Sequence, residues 1–186
     1  MSNPDDDVIE VLLRQHREVE YLLDLLVEGT TARPETFDAL VGMLTLHESA
    51  EEQVVHPAVR SLPGGNAVVD ARLDEEHEAK HVLADLRELG VDDPGFDELF
   101  EKFATAVRHH ASYEELYEFP LLRAGRQPED LRDMAVSVEA AQTVGPTHPH
   151  PHAGESALAN TVAAPLLGAF DRVLDAVRDF SRAHGH

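Results

Sequence analysis

The stretch HESAEEQVVHP, His47 to Pro57, returns as HASYEELYEFP, His110 to Pro120. Both read His, three residues, Glu-Glu, four residues, Pro. Four residues turn an α-helix by ~400° and advance it by ~6 Å, so each His and its first Glu share a helix face. The neighbours identify that face. Around His47 the stripe carries Leu40, Met43, Leu44, Ala50 and Val54. Around His110 it carries Phe103, Ala106, Val107, Tyr113 and Tyr117. The stripe of His16 is Ile9, Leu12, Leu13, Val19 and Leu23, with Glu20 one turn on. These polar residues therefore sit on core-facing stripes. A carboxylate in an apolar core costs several kcal/mol unless it is paired or bound to metal. A lone inward histidine is ordinarily a satisfied core residue. The same event at mid-height on three helices points instead to a shared metal site.

Helical periodicity dominates the chain and strand signals are scarce. Gly and Pro punctuation predicts helices over about 6–29, 35–61, 67–89 and 96–124, with a kink or break at Pro57 and at Pro120. The acidic DDD suits the positive N-terminal end of the first helix. A shorter helix is expected over about 128–143, then the Pro/His-rich linker GPTHPHPHAGE at 145–155. A last amphipathic helix, about 156–183, sets Val162, Leu166, Phe170, Val173, Val177 and Phe180 on one face. The expected fold is all-α: an up-down-up-down four-helix bundle over 1–127, an accessory segment over 128–155, and a C-terminal helix in 156–186 packed outside the bundle. His16 lies 31 residues before His47, and His77 lies 33 before His110. Each half thus reads as one hairpin of a duplicated pair.

The third helix offers His77-x-x-x-His81, a chelating pair at i, i+4 that is expected to face inward. The absence of cysteine removes disulfides, Cys-ligated zinc and iron–sulfur clusters. Lys+Arg number 15 against 36 Asp+Glu, a net charge of −21. That balance argues against nucleic acid and anionic membrane surfaces as partners. MSNPDDD is no signal peptide and VAAPLLGAF is too short to span a membrane, so a cytoplasmic location is expected. His148, His150 and His152 alternate with Pro and read as a stiff linker. Glu48, Glu52 and Glu115 border the motifs, either as solvated helix surface or as supplementary ligands.

The ordered set His16, His47-x-x-x-Glu51, His77-x-x-x-His81 and His110-x-x-x-Glu114, one group per helix over about residues 8–124, resembles the hemerythrin-like (HHE cation-binding) family. The Glu-Glu-x4-Pro tails are similar too. The resemblance implies a non-haem di-iron centre in the bundle core. Glu51 and Glu114 would bridge two iron ions, with His77, His81 and His110 on one and His16 and His47 on the other. An open position would then take O2, NO or peroxide. The final carboxylate departs from respiratory relatives, which carry an Asp one residue further on. Glu20, Tyr113 and Tyr117 are candidates for hydrogen bonding or proton transfer beside the metals. Imidazole and carboxylate without thiolate suit iron or manganese, with zinc a possible substitute. The Glu-x-x-His spacing of ferritin-like di-iron bundles is a different motif.

Three functions are compatible with this pattern. One is binding or turnover of a small oxidant, including catalase-like peroxide removal. A second is a non-catalytic module that binds or senses O2, NO or iron. The third is a plain bundle with structural histidines, against which the repeat weighs.

Overall fold

The structure, a computed structural model, describes residues 6–144. The linker with His148, His150 and His152 and the expected helix at about 156–183 lie outside the described residues.

Helix α1 (Val8–Glu28) starts at a capping box: Asp7 accepts from the Glu10 amide at 3.0 Å, and Glu10 accepts from the Asp7 amide at 2.8 Å. It ends at Gly29, whose φ of 85° is the left-handed turn that glycine takes without steric cost. Helix α2 (Arg33–Ala50) runs back beside α1. It continues through a π-helical turn, π1 (Glu51–Val55), into α3 (His56–Arg60). The second hairpin repeats this order: α4 (Gly65–Leu89), α5 (Phe96–Tyr113), a second π turn, π2 (Glu114–Glu118), and α6 (Phe119–Gly125). Gly65 lets α4 meet α3 closely, because a Cβ there would lie 1.8 Å from the Val59 carbonyl oxygen.

The two π turns explain what the prolines do. Pro57 and Pro120 lack the N–H that an α-helix would donate four residues back, and their rings crowd that carbonyl. The chain widens one turn before each. The His56 N–H donates to the Glu51 carbonyl, and the Phe119 N–H donates to the Glu114 carbonyl, each five residues back. The expected kink or break is thus an inserted residue that keeps the helix continuous. It also rotates everything after Glu51 and Glu114 by about 100° relative to an uninterrupted helix.

Two apolar clusters fill the bundle. One joins Leu22, Leu26, Phe37, Leu40, Leu86, Phe96 and Phe100. The other joins Val8, Leu12, Val55, Val59, Val69, Phe119 and Leu122. Helix α7 (Pro128–Val144) contributes Leu131, Ala135 and Val138 to this second cluster and packs on α1, α2 and π1. The segment expected to be accessory thus lies against the bundle. Its apolar stripe is part of the core.

Leu131 is 3% exposed and Val136, on the same helix, is 67% exposed. Leu131→Ala is expected to cost about 2–4 kcal/mol, and Val136→Ala to stay within about 0.5 kcal/mol. Denaturant unfolding of both variants measures this. Equal small losses would mean that α7 is only loosely attached.

Candidate metal centre

A polar layer separates the two apolar clusters. On α1, His16 lies between Leu12 of one cluster and Val19 of the other. On α2, His47 lies between Leu44 and Ala50. On α4, Glu76 lies between Val69 and Leu83. Past α5, Glu114 lies between Val107 and Phe119. All four helices therefore deliver polar groups to one level. Ligand atoms of His16, His47, Glu51 and Glu114, all buried, lie within 4.8 Å of one another. A second group, Glu51, His56 and Glu76, meets the same limit and shares Glu51.

Three of the five expected imidazoles, those of His16, His47 and His110, point the same way. His16 Nε2 lies 3.2 Å from Glu114 Oε2, and His110 Nε2 lies 3.1 Å from Glu114 Oε1. His47 Nε2 lies 3.3 Å from Glu51 Oε2. Each Nδ1 faces outward to an oxygen: Glu115 Oε1 at 2.8 Å from His16, Gln15 Oε1 at 2.8 Å from His47, Glu75 Oε2 at 3.0 Å from His110. An acceptor on Nδ1 fixes the tautomer that presents Nε2 as a ligand. Arg72 holds Glu75 at 2.7 Å and so supports His110 in turn. Lower in the layer, His56 touches Glu76 Oε1 and Glu118 Oε1, both at 3.0 Å. Lys80 Nζ reaches Glu52 at 2.7 Å and Glu48 and Glu76 at 3.3 Å.

Charge in this layer is unevenly balanced. Burial disfavours a charged His16 or His110, but Glu114 outweighs it and raises both imidazoles above the ordinary histidine value. Burial likewise opposes the Glu114 carboxylate, and His110 and His16 hold it well below its usual range. Glu118 and Glu76 raise His56 to about 10 against its burial. His47 goes the other way: burial, then the neighbouring His16, push it down to about 3. Burial and the nearby carboxylates push Glu51 well up. A neutral His47 whose Nδ1–H donates to Gln15 turns an Nε2 lone pair toward Glu51. Only a proton on the raised Glu51 carboxyl, or a metal ion in its place, can lie between two such groups 3.3 Å apart. Both Glu51 oxygens, both Glu114 oxygens, His16 Nε2 and His110 Nε2 are buried without a hydrogen-bond partner. Orphaned atoms of this kind, converging on one point, fit a metal ion.

Of the residues expected at the site, the structure brings together His16, His47, Glu51, His110 and Glu114. It does not bring His77 and His81, which are exposed on the outer face of α4. The inward stripe of that helix runs Val69, Arg72, Glu76, Leu83, Leu86. It was legible from the apolar residues, whereas phasing the helix on its histidines is one position out. Glu20 is exposed and pairs with Arg108 at 2.9 Å. Tyr113 and Tyr117 are exposed at 36% and 55% and meet each other outside the layer with their rings tilted, centroids 5.3 Å apart. His56, Glu76 and Glu118 escaped the sequence reading. His56 is nine residues past His47, on the opposite side of a regular helix, and only the π turn brings it back. Glu115 serves His16, and Glu48 and Glu52 serve Lys80.

Comparison with known proteins agrees with this architecture. Residues 7–122 match the hemerythrin HHE cation binding domain. A curated relative from Nostoc sp. (strain PCC 7120), described as a DNA nickase, is 27% identical over 141 residues, which cover 75% of this chain. The chain spans 40% of that relative's length. A crystal structure of a hemerythrin HHE cation binding domain-containing protein, the Rv2633c homolog from Mycobacterium kansasii, shares the fold. Its TM-score is 0.66 at 17% identity, over 97% of this chain and 95% of that one.

Burial and the neighbouring carboxylates favour a neutral Glu51 once metal is removed, and Glu51→Gln keeps that neutral shape. After chelation, the variant is expected to unfold within about 1 kcal/mol of the parent, or above it, since no paired buried charge is lost. Calorimetry checks this. A loss above about 2 kcal/mol would mean that protein groups alone already satisfy Glu51.

Proposed function

The chain belongs to the hemerythrin HHE cation-binding family, and from that premise we propose that its polar layer holds a non-haem di-iron centre that binds or reacts with a small oxidant. The observation that carries this reading is the convergence of buried, unpartnered oxygens of Glu51 and Glu114 with imidazole nitrogens in a dry core. His16, His47 and His110 would offer Nε2, and Glu51 and Glu114 their carboxylates. In place of His77 and His81, Glu76 and His56 would serve the second ion, with Glu118 behind them. Glu51 belongs to both ligand groups, which supports two ions sharing it. Bound iron supplies a change of oxidation state and an open position for peroxide, O2 or NO. Imidazole and carboxylate donors fit iron or manganese better than a closed zinc site.

The rest follows from the chain's own residues. Val19, Leu44, Ala79 and Val107 wall the pocket above the layer, and Glu48 and Glu76 also line it. The apolar walls exclude bulk water and admit only a small ligand. Phe119 stacks on His16 with ring centroids 5.5 Å apart and fixes that imidazole from below. Peroxide removal requires a group that holds and returns a proton. Glu20, Tyr113 and Tyr117 lie outside the layer, so that role falls to the carboxyl of Glu48, which burial pushes up to about 7. Pocket carboxyls favour turnover over inert carriage, and catalase-like peroxide disproportionation is the reading they support. No helix among the described residues is long and apolar enough to cross a membrane. The net charge of −21 weighs toward a small-molecule ligand over nucleic acid.

Elemental analysis of protein expressed with iron available tests this first. Close to two irons per chain are expected, and His47→Ala is expected to lose most of them while remaining helical. Peroxide consumption and O2 and NO binding are then assayed on the loaded protein. A folded parent that holds neither iron nor manganese would overturn the proposal, as would a His47→Ala variant with unchanged metal content.

A further inference from the structure

His77 and His81 are left over by the buried centre, and their arrangement is ordered. They face solvent one turn apart on α4, with Nε2 atoms 3.2 Å apart and ring centroids 4.6 Å apart at 84°. Two imidazoles binding one cation at ~2.1 Å each stand about 3.2 Å apart when the angle at the metal is ~100°. That angle lies between octahedral and tetrahedral values. The two side chains already hold the bite of a chelate, so little rotamer freedom remains to be lost on binding. Asp74, Glu78 and Asp85 occupy the same exposed stripe at i, i+3 and i+4 spacings. They add negative charge and carboxylate oxygens around the pair.

We propose that His77 and His81 form a peripheral site for a borderline divalent transition cation such as Ni2+, Cu2+ or Zn2+, separate from the buried centre. The site shares no residue with that centre, because Glu76, next to His77, turns the opposite way into the core. Two imidazoles, water and a nearby carboxylate favour copper, nickel and zinc over Fe2+ or Mn2+ by the ordinary order of divalent affinities, and exclude Mg2+ and Ca2+, which want oxygen cages. Exposure makes the bound ion exchange quickly and yield to chelators, unlike an ion in the buried layer. The competing explanation of the geometry is a neutral Nε2–H···Nε2 hydrogen bond with no affinity for metal.

Ni2+ is the probe, titrated calorimetrically into the full chain as expressed, with its iron content measured before and after. Changing even an outer partner of a metal ligand costs about 10–100-fold in affinity. His77→Gln and His81→Gln are therefore each expected to weaken one Ni2+ site about tenfold or more. The combined variant His148→Gln, His150→Gln and His152→Gln controls for the linker histidines and is expected to keep that site. Iron content is expected to be unchanged in all three proteins. Identical Ni2+ isotherms for the parent, His77→Gln and His81→Gln would overturn the proposal. So would loss of the bound iron from either single variant, which would return the pair to the buried centre. Both residues are exposed, so far-ultraviolet circular dichroism should be unaltered throughout. Absence of iron from the parent would count against the di-iron reading and leave the Ni2+ comparison intact.

Discussion

Four carboxylates, Glu51, Glu76, Glu114 and Glu118, sit at 2% exposure or less between two apolar clusters. Everything else in the layer answers that charge. His56 spans Glu76 and Glu118, His16 and His110 flank Glu114, and Lys80 reaches Glu76 from the side. Each of these pairs supplies a protein cation to a protein anion. Glu51 is the exception. Its nearest imidazole, His47, is held neutral by burial and by His16, and burial pushes Glu51 itself toward the neutral acid, so the layer is short of positive charge for an ionised Glu51 at one place. That shortfall is local, sits beside unpartnered nitrogen and oxygen atoms, and has the donor chemistry of a metal site. A bundle stabilised by packing alone would have no use for it.

The π turns make this concentration possible. A regular helix presents one inward residue every three or four positions, so His47, Glu51 and His56 could not all face the same layer. Inserting one residue at π1 re-phases His56 inward, and the same insertion at π2 re-phases Phe119. The prolines that follow keep each wide turn from relaxing back to α, because neither can supply the bond that an α-turn would need. The repeated Glu-Glu-x4-Pro tail is thus a structural device for packing more ligands into one level of a helix than α geometry allows.

Much of this was legible in the sequence, for physical reasons. Helix limits followed from glycine and proline, and His16, His47, Glu51, His110 and Glu114 from their apolar neighbours at i±3 and i±4. The failures share one cause, which is phase. On α4, phasing on His77 and His81 conflicted with the stripe Val69, Arg72, Glu76, Leu83, Leu86, and the apolar residues set the rotation. After the first π turn, α periodicity sets His56 about 180° from His47, so the count does not find it. Tyr113 and Tyr117 fell on the stripe of His110 by the same count, yet they lie on the outer side where the wall opens to solvent.

The two repeats also differ where it matters for chemistry. Position for position, Val55 corresponds to Glu118 and His56 to Phe119. The first repeat therefore sends an imidazole into the lower side of the layer, and the second sends an aromatic ring against His16. The result is two unlike halves. Around His16 and His47 the surroundings are dry, with Phe119 beneath and Val19 and Leu44 above. Around Glu76 a continuous polar chain runs from Lys80 through Glu76 and His56 to Glu118. A cation on the dry side meets mainly imidazole, and one on the polar side mainly carboxylate. Carboxylate donors stabilise higher charge on a metal than imidazole does, so two like ions placed here would not be equivalent. Pseudo-symmetry of the backbone thus coexists with an electrostatic polarity built from two substitutions in the repeat. Under the proposed function, that polarity would give a ligand entering the pocket a preferred end.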